Sequence, residues 1–439
     1  DTMGIGLISI LLFGSMLLFL GLGLPVAFVL GGLAAIFTAI FWGPESFFII
    51  VARTYSMMST TTLVACPLFV LMAAVLEQSG VAEDMYEMMY RWMGSLKGGL
   101  AVGTVIVCTL LAAMSGIAST GVVVMGVMAL PAMLKRGYDK SLAVGCILAG
   151  GVLGPLIPPS IVLVLYGTIA QVSIGGLFAG GMSAGLLCSS LIIVYILIRC
   201  YLNPSLGPPI PYEERTNWEA KMTSLKGIIL PFLLIVSVLG SIYTGIATPT
   251  EAAAVGAFGA MVCSAIHRRL NWQLIRNSAY ATIKIQGFMM WILFSAQAFA
   301  SVYMGMGASR LVIGLVEKYE IGWWTMLIAI QIVWFALGFV IDAWSILMIT
   351  APIILPLLSI YGFNPLWLGV LYAVNTQTGY LTPPFGTMLF MMKGIAPKSV
   401  TMSDIYSSVV PFVITQLVTL ALCITFPKLI TWLPEVLFG

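Results

Sequence analysis

The sequence predicts an all-α polytopic membrane protein, and three observations lead to that prediction. Of the 439 residues, 60% are apolar and only 8% are charged, against about 25% charged in a soluble domain. The mean hydropathy of +1.08 leaves too little polar surface to cover such a core in water. The uncharged stretches are long, and about 20 apolar residues suffice for a helix that crosses a bilayer. A lipid bilayer is therefore the expected surroundings, and a water-soluble enzyme or a protein that binds nucleic acid is excluded.

Lysine and arginine are concentrated in a few short segments, which predicts the orientation in the membrane. Fifteen of the 19 lie in residues 83–97, 135–140, 199–226, 267–284 and 393–404. Placing these segments in the cytoplasm satisfies the positive-inside bias and puts both termini on the outer side.

An internal repeat is visible when the sequence is shifted by 225 residues against itself. Leu130-Pro131 then meets Leu355-Pro356, Gly154 meets Gly379, and Pro158-Pro159 meets Pro383-Pro384. Because the charged segment 135–140 lies inside and its match 360–365 would lie outside, we predict two inverted repeats, which are typical of secondary transporters. The predicted segments are N-terminal scaffold helices (1–60), a first repeat (61–200), a cytoplasmic linker (201–226), scaffold helices with a connecting arm (227–284), a second repeat (285–404) and a C-terminal helix (405–439).

Each repeat is predicted to contain one re-entrant hairpin and one broken helix. Residues 98–134 carry no charge and are interrupted by the run Ser115 to Gly121, which leaves arms of roughly 15 residues, about 22 Å of helix. That is shorter than the roughly 30 Å hydrocarbon core, so a hairpin fits better than two full spans. The matching hairpin is 322–358, and proline pairs break the helices over about 141–175 and 365–392.

The proline pairs and hairpin tips predict cation sites built from oxygen atoms. Prolines remove backbone donors and free carbonyl groups at mid-membrane, and neutral carbonyl and hydroxyl oxygens suit a monovalent cation such as Na⁺. Asp342 is the only charged residue between Glu320 and Lys393. A carboxylate there needs a partner, which a bound cation or a proton would supply. The alternatives are that the prolines only kink helices, and that Asp342 has access to water or contacts a basic residue of another element.

Glu251 is the second isolated acid, in Ala247-Thr248-Pro249-Thr250-Glu251. It follows a proline at the outer end of an apolar segment, so it either has a function in transport or stabilises the start of a helix.

Together these motifs resemble the large membrane subunit of tripartite ATP-independent periplasmic (TRAP) transporters over essentially the whole chain. The resemblance rests on Gly154-Pro155-Leu156-Ile157-Pro158-Pro159-Ser160, on Ala247 to Ala253, on Asp342 followed by Pro352 and Pro356, and on Asn375 with Thr382-Pro383-Pro384-Phe385-Gly386. It implies an elevator-type Na⁺ symporter of small organic acids in the bacterial inner membrane, with both termini periplasmic. It also implies two partners, a small four-helix membrane subunit and a periplasmic substrate-binding protein.

The resemblance further implies where at least two Na⁺ ions and the substrate would lie. One ion would lie between the first tip (Ser115, Gly116, Ser119) and the break at Gly154 and Pro158, and a second near Asp342, Gly379 and Thr382. The substrate would lie between the two tips, for which we select Ser115, Ser119, Thr120, Ser345, Asn375 and Thr376.

Three other functions compete with this one. A stand-alone Na⁺/dicarboxylate symporter of related architecture would need no binding protein. An intramembrane enzyme would need clustered ionisable groups at mid-membrane, and only Asp342 is plainly there, so no enzymatic activity is expected. A passive channel has less need of inverted repeats and hairpins.

Overall fold

The computed structural model describes residues 2–439, apart from the side chains of residues 2, 3, 214 and 309. Over this range the chain is all-helical and contains no β-strand. Nine of the described helices are long and apolar enough to cross a membrane. The predicted all-α polytopic class is therefore confirmed.

Ten described α-helices precede the linker, of which three begin in the predicted N-terminal segment (1–60) and seven in the predicted first repeat (61–200). The first five are α1 (Thr2–Gly21), α2 (Val26–Trp42), α3 (Phe47–Met58), α4 (Ala65–Gln78) and α5 (Val81–Met93). The next five are α6 (Gly99–Ser115), α7 (Ala118–Lys135), α8 (Lys140–Gly151), α9 (Ile161–Ala170) and α10 (Ile174–Leu202).

The rest of the chain contains eleven described helices. The linker holds two single 3₁₀ turns and one short α-helix, α11 (Trp218–Ser224), and is followed by α12 (Lys226–Tyr243), α13 (Pro249–Ile266), α14 (Trp272–Gly305) and α15 (Ala308–Lys318). The second repeat and the C-terminus supply α16 (Trp323–Gly338), α17 (Ala343–Tyr361), α18 (Pro365–Leu381), α19 (Thr387–Ile395), α20 (Met402–Thr425) and α21 (Lys428–Phe438).

The helix starts recur at the same offset as the sequence motifs. Helices α6, α7, α8 and α9 start at 99, 118, 140 and 161, which become 324, 343, 365 and 386 when 225 is added. Helices α16 to α19 start at 323, 343, 365 and 387. Both halves thus contain a helical hairpin followed by a broken helix.

The hairpin arms are longer than the sequence interpretation predicted. The arms have 17 and 18 residues in the first hairpin and 16 and 19 in the second. Only Gly116 and Ile117 separate α6 from α7, so the interruption is shorter than the run Ser115 to Gly121 from which the arm length was estimated. As a result α7 and α17 are long enough to cross a membrane, whereas α6 and α16 are among the shorter apolar helices.

The proline pairs do break their helices. Residues 152–160 separate α8 from α9, and residues 382–386 separate α18 from α19. The Pro158–Pro159 and Pro383–Pro384 peptide bonds are both cis. The prediction of broken helices is confirmed in both halves.

Four predicted segment boundaries lie inside continuous helices. The boundary at 200/201 lies within α10, that at 226/227 one residue into α12, that at 284/285 within α14, and that at 404/405 within α20. A charged residue shows where a helix leaves the apolar surroundings. It does not end the helix, because the backbone hydrogen bonds can continue past that residue. The C-terminal segment, predicted as one helix, contains most of α20 and the separate α21.

Two compact units can be distinguished in the chain. The smaller unit comprises the described residues up to Thr61 with Lys284–Leu337 and Ile341–Pro365, and the larger unit comprises Thr62–Ile283, Gly338–Val340 and Leu366–Gly439. In the smaller unit the ring of Phe13 meets Phe299 and Tyr303 edge-on, with centroids 5.7 and 5.4 Å away. In the larger unit α4 packs closely on α13, and a Cβ atom on Gly256 would lie 2.7 Å from the Met72 sulfur. Small residues thus allow the close helix approach that membrane packing favours.

Candidate functional site

The first hairpin tip lies directly against the first helix break, within the larger unit. Gly116 ends α6 in the left-handed conformation at φ +62°, and a Cβ atom there would lie 2.3 Å from the carbonyl oxygen of Pro159. A Cβ atom on Gly154 would lie 2.5 Å from the carbonyl carbon of Ile117. Since neither position has room for a side chain, the tip and the break are in backbone-to-backbone contact. Of the predicted residues, Gly116 and Gly154 are therefore brought into this contact, which they make with Pro159 and Ile117, the neighbours of the predicted Pro158 and Gly116.

Several carbonyl groups of this break have no hydrogen-bond donor in the described part of the chain. The carbonyl oxygen of Pro155 accepts the hydroxyl of Ser160, whose oxygen also caps α9 by accepting the amide of Leu163. The carbonyl oxygens of Gly154, Pro158 and Pro159 accept no backbone hydrogen bond from any described residue. Buried carbonyls are nearly always paired, so such oxygens at a tip–break contact are candidate cation ligands.

The hydroxyl groups of the first tip differ in how they are bonded. Ser115 is 5% exposed, and its hydroxyl donates to the carbonyl of Leu111 over 2.9 Å. Its oxygen accepts one long hydrogen bond, from the amide of Ile117 over 3.5 Å, which leaves a second lone pair for a ligand. Ser119 and Thr120 are half-buried in the first turn of α7. That turn has no side-chain cap at Ile117, so its backbone amides can receive an anion.

Near the second break, Gly379 lies against Gly338, and both residues belong to the larger unit. A Cβ atom on Gly379 of α18 would lie 2.9 Å from Cα of Gly338, where α16 ends. Thr382 follows, half-buried, and its hydroxyl donates to the carbonyl of Thr378 over 2.9 Å. Gly379 is thus placed against the last residue of α16, and Thr382 stands one turn further along the break. Sequence reasoning missed Gly338, and the signal that could have found it is a glycine shortly before the isolated Asp342.

Asp342 begins α17 and belongs to the smaller unit. Its carboxylate accepts the backbone amide of Ser345 over 2.9 Å and the hydroxyl of Ser345 over 2.7 Å. Asp342 is half-buried, Ser345 is fully buried, and no described basic residue forms an ion pair with this carboxylate. When this carboxyl group is ionised, no described group of the chain therefore neutralises its charge. It has spare lone pairs that can accept a cation.

The predicted substrate residues of α18, Asn375 and Thr376, are fully buried in the larger unit. The hydroxyl of Thr376 donates to the carbonyl of Tyr372 over 2.9 Å, so its oxygen is the part left to accept a ligand. Tyr372 itself stacks on the ring of Tyr166, with ring centroids 6.3 Å apart. A Cβ atom on Gly369, one helical turn before Tyr372, would lie 2.4 Å from the same Tyr166 ring. This contact joins α9 of the first broken helix to α18 of the second.

Glu251 performs the structural role among its two predicted alternatives. Its carboxylate accepts the backbone amide and the hydroxyl of Thr248, each over 2.8 Å, and the amide of Glu251 donates in return to Thr248. This reciprocal pattern is a capping box at the start of α13. The carboxylate is exposed and used by the cap.

The donor atoms determine which ions the first site can bind. No group of three or more His, Cys, Asp or Glu side chains occurs among residues 2–439 as described. Zinc and other transition metals need such groups, whereas carbonyl and hydroxyl oxygens suit hard cations. A low charge in the ligand shell favours a monovalent ion, and the residues therefore fit Na⁺.

Comparison with known proteins agrees with this architecture. Residues 13–429 match the family model described as "Tripartite ATP-independent periplasmic transporter, DctM component". The C4-dicarboxylate TRAP transporter large permease protein DctM of Vibrio cholerae is 30% identical over all of this chain and 99% of its own length. The isethionate TRAP transporter permease protein DctMQ of Oleidesulfovibrio alaskensis is 29% identical over 95% of this chain and 65% of its own length.

A solved structure shares the fold at much lower identity. The YdaH transporter of Alcanivorax borkumensis superposes with a TM-score of 0.66 at 14% identity, covering 94% of this chain and 98% of that one. This similarity concerns the fold alone. The family match over most of the chain, the full-length relative and the repeated order of hairpin and broken helix agree: the chain belongs to the DctM family, the large membrane component of TRAP transporters.

Proposed function

We propose that this chain is the large transmembrane subunit of a Na⁺-coupled importer of small organic acids. In this proposal a periplasmic binding protein delivers the substrate, and one part of the chain moves it across the bacterial inner membrane by an elevator motion. TRAP large permeases in general work with such a binding protein and a small membrane subunit, and in some relatives, as the name DctMQ records, the two membrane components are fused.

The observation that carries the proposal is the contact between the first tip and the first break. Gly116 and Gly154 leave no space for side chains, and adjacent carbonyl oxygens have no described donor. An unsatisfied buried carbonyl costs free energy, which a bound cation removes. Ser115, Gly116, Ser119, Gly154 and Pro158 would supply the ligands of one Na⁺ ion.

Asp342 provides the charge for a second ion in this proposal. Its carboxylate is oriented by two hydrogen bonds from Ser345 and has no described cationic partner. Gly379 and Thr382, from the second break, would contribute the remaining oxygens. Two Na⁺ ions would balance the two charges of a dicarboxylate and remove the electrostatic cost of carrying it into the membrane.

The substrate class is inferred from the relatives and from the first turn of α7. The relatives' names specify a C4-dicarboxylate and isethionate, which are both small organic anions. The uncapped amides at the start of α7 favour an anion. Ser115, Ser119, Thr120, Ser345, Asn375 and Thr376 are the proposed substrate contacts.

Transport measurements in liposomes test this proposal against a stand-alone symporter. Purified chain would be reconstituted alone, with its small subunit, and with both that subunit and a binding protein loaded with radiolabelled succinate or isethionate. An inward Na⁺ gradient would be compared with an equal K⁺ gradient. We expect uptake only with all three proteins and only with Na⁺. Uptake by the chain alone would establish the stand-alone alternative, and equal uptake with K⁺ would exclude Na⁺ coupling.

The elevator motion and the orientation can be tested by thiol labelling. All seven native cysteines are free and buried, so the background is low. We expect Thr382→Cys to react with an impermeant maleimide from either side, depending on Na⁺ and substrate. Ser205→Cys, in the exposed linker, is the control and should react only from the cytoplasm. Labelling of Thr382→Cys from one side under all conditions, in a variant that still takes up substrate, would exclude the elevator motion.

A further inference from the structure

A second polar feature lies away from the tips, between the end of α5 and the linker. It is a cavity of about 410 Å³ within the larger unit. The linker is fixed to α5 and its end by several hydrogen bonds, among them one from the amide of Ile210 to the carbonyl of Gly94 (2.8 Å) and one from the indole of Trp92 to the carbonyl of Lys221 (3.2 Å). The cavity is thus built by specific contacts, and its volume is within the about 300–1,000 Å³ of small-ligand sites.

The described walls of this cavity are cationic. Arg91, Arg215 and Lys221 line it, and no acidic residue does so among the described lining residues. Arg91 forms an ion pair with Glu87, so the carboxylate of Glu87 largely neutralises its charge. Arg215 donates its Nε–H to the carbonyl of Ile210 over 3.3 Å, and neither its terminal nitrogens nor the Lys221 ammonium have a described acidic partner. Two cationic groups therefore remain to bind an anion.

A neighbouring cavity differs from this one because its basic residues have acidic partners. That cavity, about 290 Å³, also contains Arg91 and adds Arg269. Its walls include Asp84 and Glu87, and Asp84 binds Arg269 with both carboxylate oxygens, over 2.8 and 3.1 Å. The charges there are already matched, whereas those around Arg215 and Lys221 are not.

The surroundings indicate a ligand that comes from the membrane. Tyr212, Trp218 and Met222 are 83%, 66% and 46% exposed, and all lie in the linker or α11 beside the cavity. Exposed aromatic side chains next to basic groups are typical of the level of the lipid headgroups. Moreover, α11 is followed almost directly by α12, which starts at Lys226 and is a candidate membrane span. In the predicted orientation this is the cytoplasmic surface.

We propose that the cavity binds the headgroup phosphate of an anionic phospholipid of the inner leaflet, such as phosphatidylglycerol. Arg215 and Lys221 hold the phosphate, and the exposed side chains of Trp218 and Met222 lie against the acyl chains. Basic pockets beside membrane helices on the cytoplasmic side bind headgroups in this manner. The site concerns lipid binding by the purified chain and does not depend on which substrate is transported.

Lipid titration of the full chain tests the proposal. Delipidated protein in detergent would be titrated with palmitoyl-oleoyl-phosphatidylglycerol, with the corresponding phosphatidylethanolamine, and with inorganic phosphate, and bound lipid counted by native mass spectrometry. We expect the double variant Arg215→Gln/Lys221→Gln to bind phosphatidylglycerol about tenfold more weakly, since two charged hydrogen bonds are lost. The matched control Arg276→Gln/Lys284→Gln removes the same charge from another cytoplasmic segment and should bind as the unaltered chain does.

The outcomes separate the possible ligands. Unchanged phosphatidylglycerol binding in the double variant, or an equal loss in the control, would overturn the site. Equal binding of phosphatidylethanolamine would overturn the preference for an anionic lipid, and competition by phosphate at equal concentration would assign the cavity to a soluble anion. Should the double variant fail to elute as a single species, Lys221→Gln alone decides, with weaker binding expected.

Discussion

The carboxylate of Asp342 caps the start of α17 by accepting two hydrogen bonds from Ser345. The carboxylate accepts the backbone amide of Ser345 over 2.9 Å and its hydroxyl over 2.7 Å. The same carboxylate thus caps a helix and faces no described cation. Its role in stability and its proposed role in ion binding can be separated by substitution, because an asparagine side chain also caps helices.

The first prediction separates these two roles. Asp342→Asn keeps an oxygen that can accept from Ser345 but removes the charge, so we expect the unfolding temperature to change little and Na⁺-driven uptake to be lost. Asp342→Ala should also lose uptake and, in addition, cost about 0.5–2 kcal/mol of stability through the missing cap. Uptake and thermal unfolding of the purified variants are the measurements. Na⁺-dependent uptake by Asp342→Asn at the unaltered rate would exclude the carboxylate as an ion ligand.

The second prediction concerns the close contact at the first tip. Gly116 and Gly362 have nearly the same backbone conformation, at φ +62° and +63°, but only Gly116 has an atom close to its absent side chain. Alanine at Gly362 should cost about 1–2 kcal/mol for the left-handed conformation alone. Alanine at Gly116 should cost a further 1–3 kcal/mol or so, because the Pro159 carbonyl must move.

Thermal unfolding and uptake of both alanine variants provide the comparison. We expect Gly116→Ala alone to lose uptake, since the moved carbonyl is next to the proposed ion site. Equal destabilisation of the two variants, with uptake kept in both, would show that Gly116 has no close contact with the Pro159 carbonyl.

The sequence could predict the helical class, the position of both tips and both breaks, because each depends on local chemistry. A proline pair disrupts a helix whatever surrounds it, and a carboxylate among some 70 uncharged residues marks a special position. Tertiary contacts are harder to predict from the sequence. The partners of Gly116 and Gly379 are Pro159 and Gly338, and no local pattern specifies which backbone approaches a glycine.

Helix ends were also harder to predict than helix existence. The charge pattern predicts a segment boundary after Lys284, yet α14 continues through it to Gly305. A charged side chain at a helix surface can extend its charged group to water, so the backbone hydrogen bonds of the helix stay intact. The two roles open for Glu251 could be distinguished only from coordinates, because capping depends on the backbone angles of Thr248.

The third prediction is that Glu251 has no part in ion coupling. Glu251→Gln retains a side chain that can complete the capping box, so both uptake and unfolding temperature should stay close to those of the unaltered chain. Glu251→Ala and Thr248→Ala should each lower the unfolding temperature slightly while keeping Na⁺-dependent uptake per folded molecule. Loss of Na⁺ dependence in Glu251→Gln would return this residue to the transport mechanism.

The fourth prediction concerns the ion pair that ties α5 to the turn after α13. Arg269 donates two hydrogen bonds to Asp84 and a third, over 2.7 Å, to the carbonyl of Ser79. The hydrogen bonds of Asp84 raise the pKa of Arg269, so the guanidinium stays charged at any pH suitable for the protein. Because both side chains are partly exposed, we expect a coupling free energy of only about 1 kcal/mol in a double-mutant cycle of Asp84→Asn and Arg269→Gln.

The pair Lys428–Glu435 is the matched control for that cycle. Its side chains are 75% and 53% exposed, and its nitrogen and oxygen are 2.5 Å apart. Solvent screens such a pair, so its cycle should show no measurable coupling. A coupling at Lys428–Glu435 as large as that at Arg269–Asp84 would mean that burial does not distinguish the two pairs.

The fifth prediction is that one buried amide lowers the stability of the larger unit. Gln416 of α20 is fully buried, and neither its Oε1 nor its Nε2 atom has a hydrogen-bond partner in the described part of the chain. Leaving buried polar atoms unpaired costs about 1–3 kcal/mol, and leucine has a similar volume. We therefore expect Gln416→Leu to raise the unfolding temperature of the purified protein, while Leu420→Ala, one turn later on α20, should lower it. A lower unfolding temperature for Gln416→Leu would show that a bound molecule satisfies this amide in the folded protein.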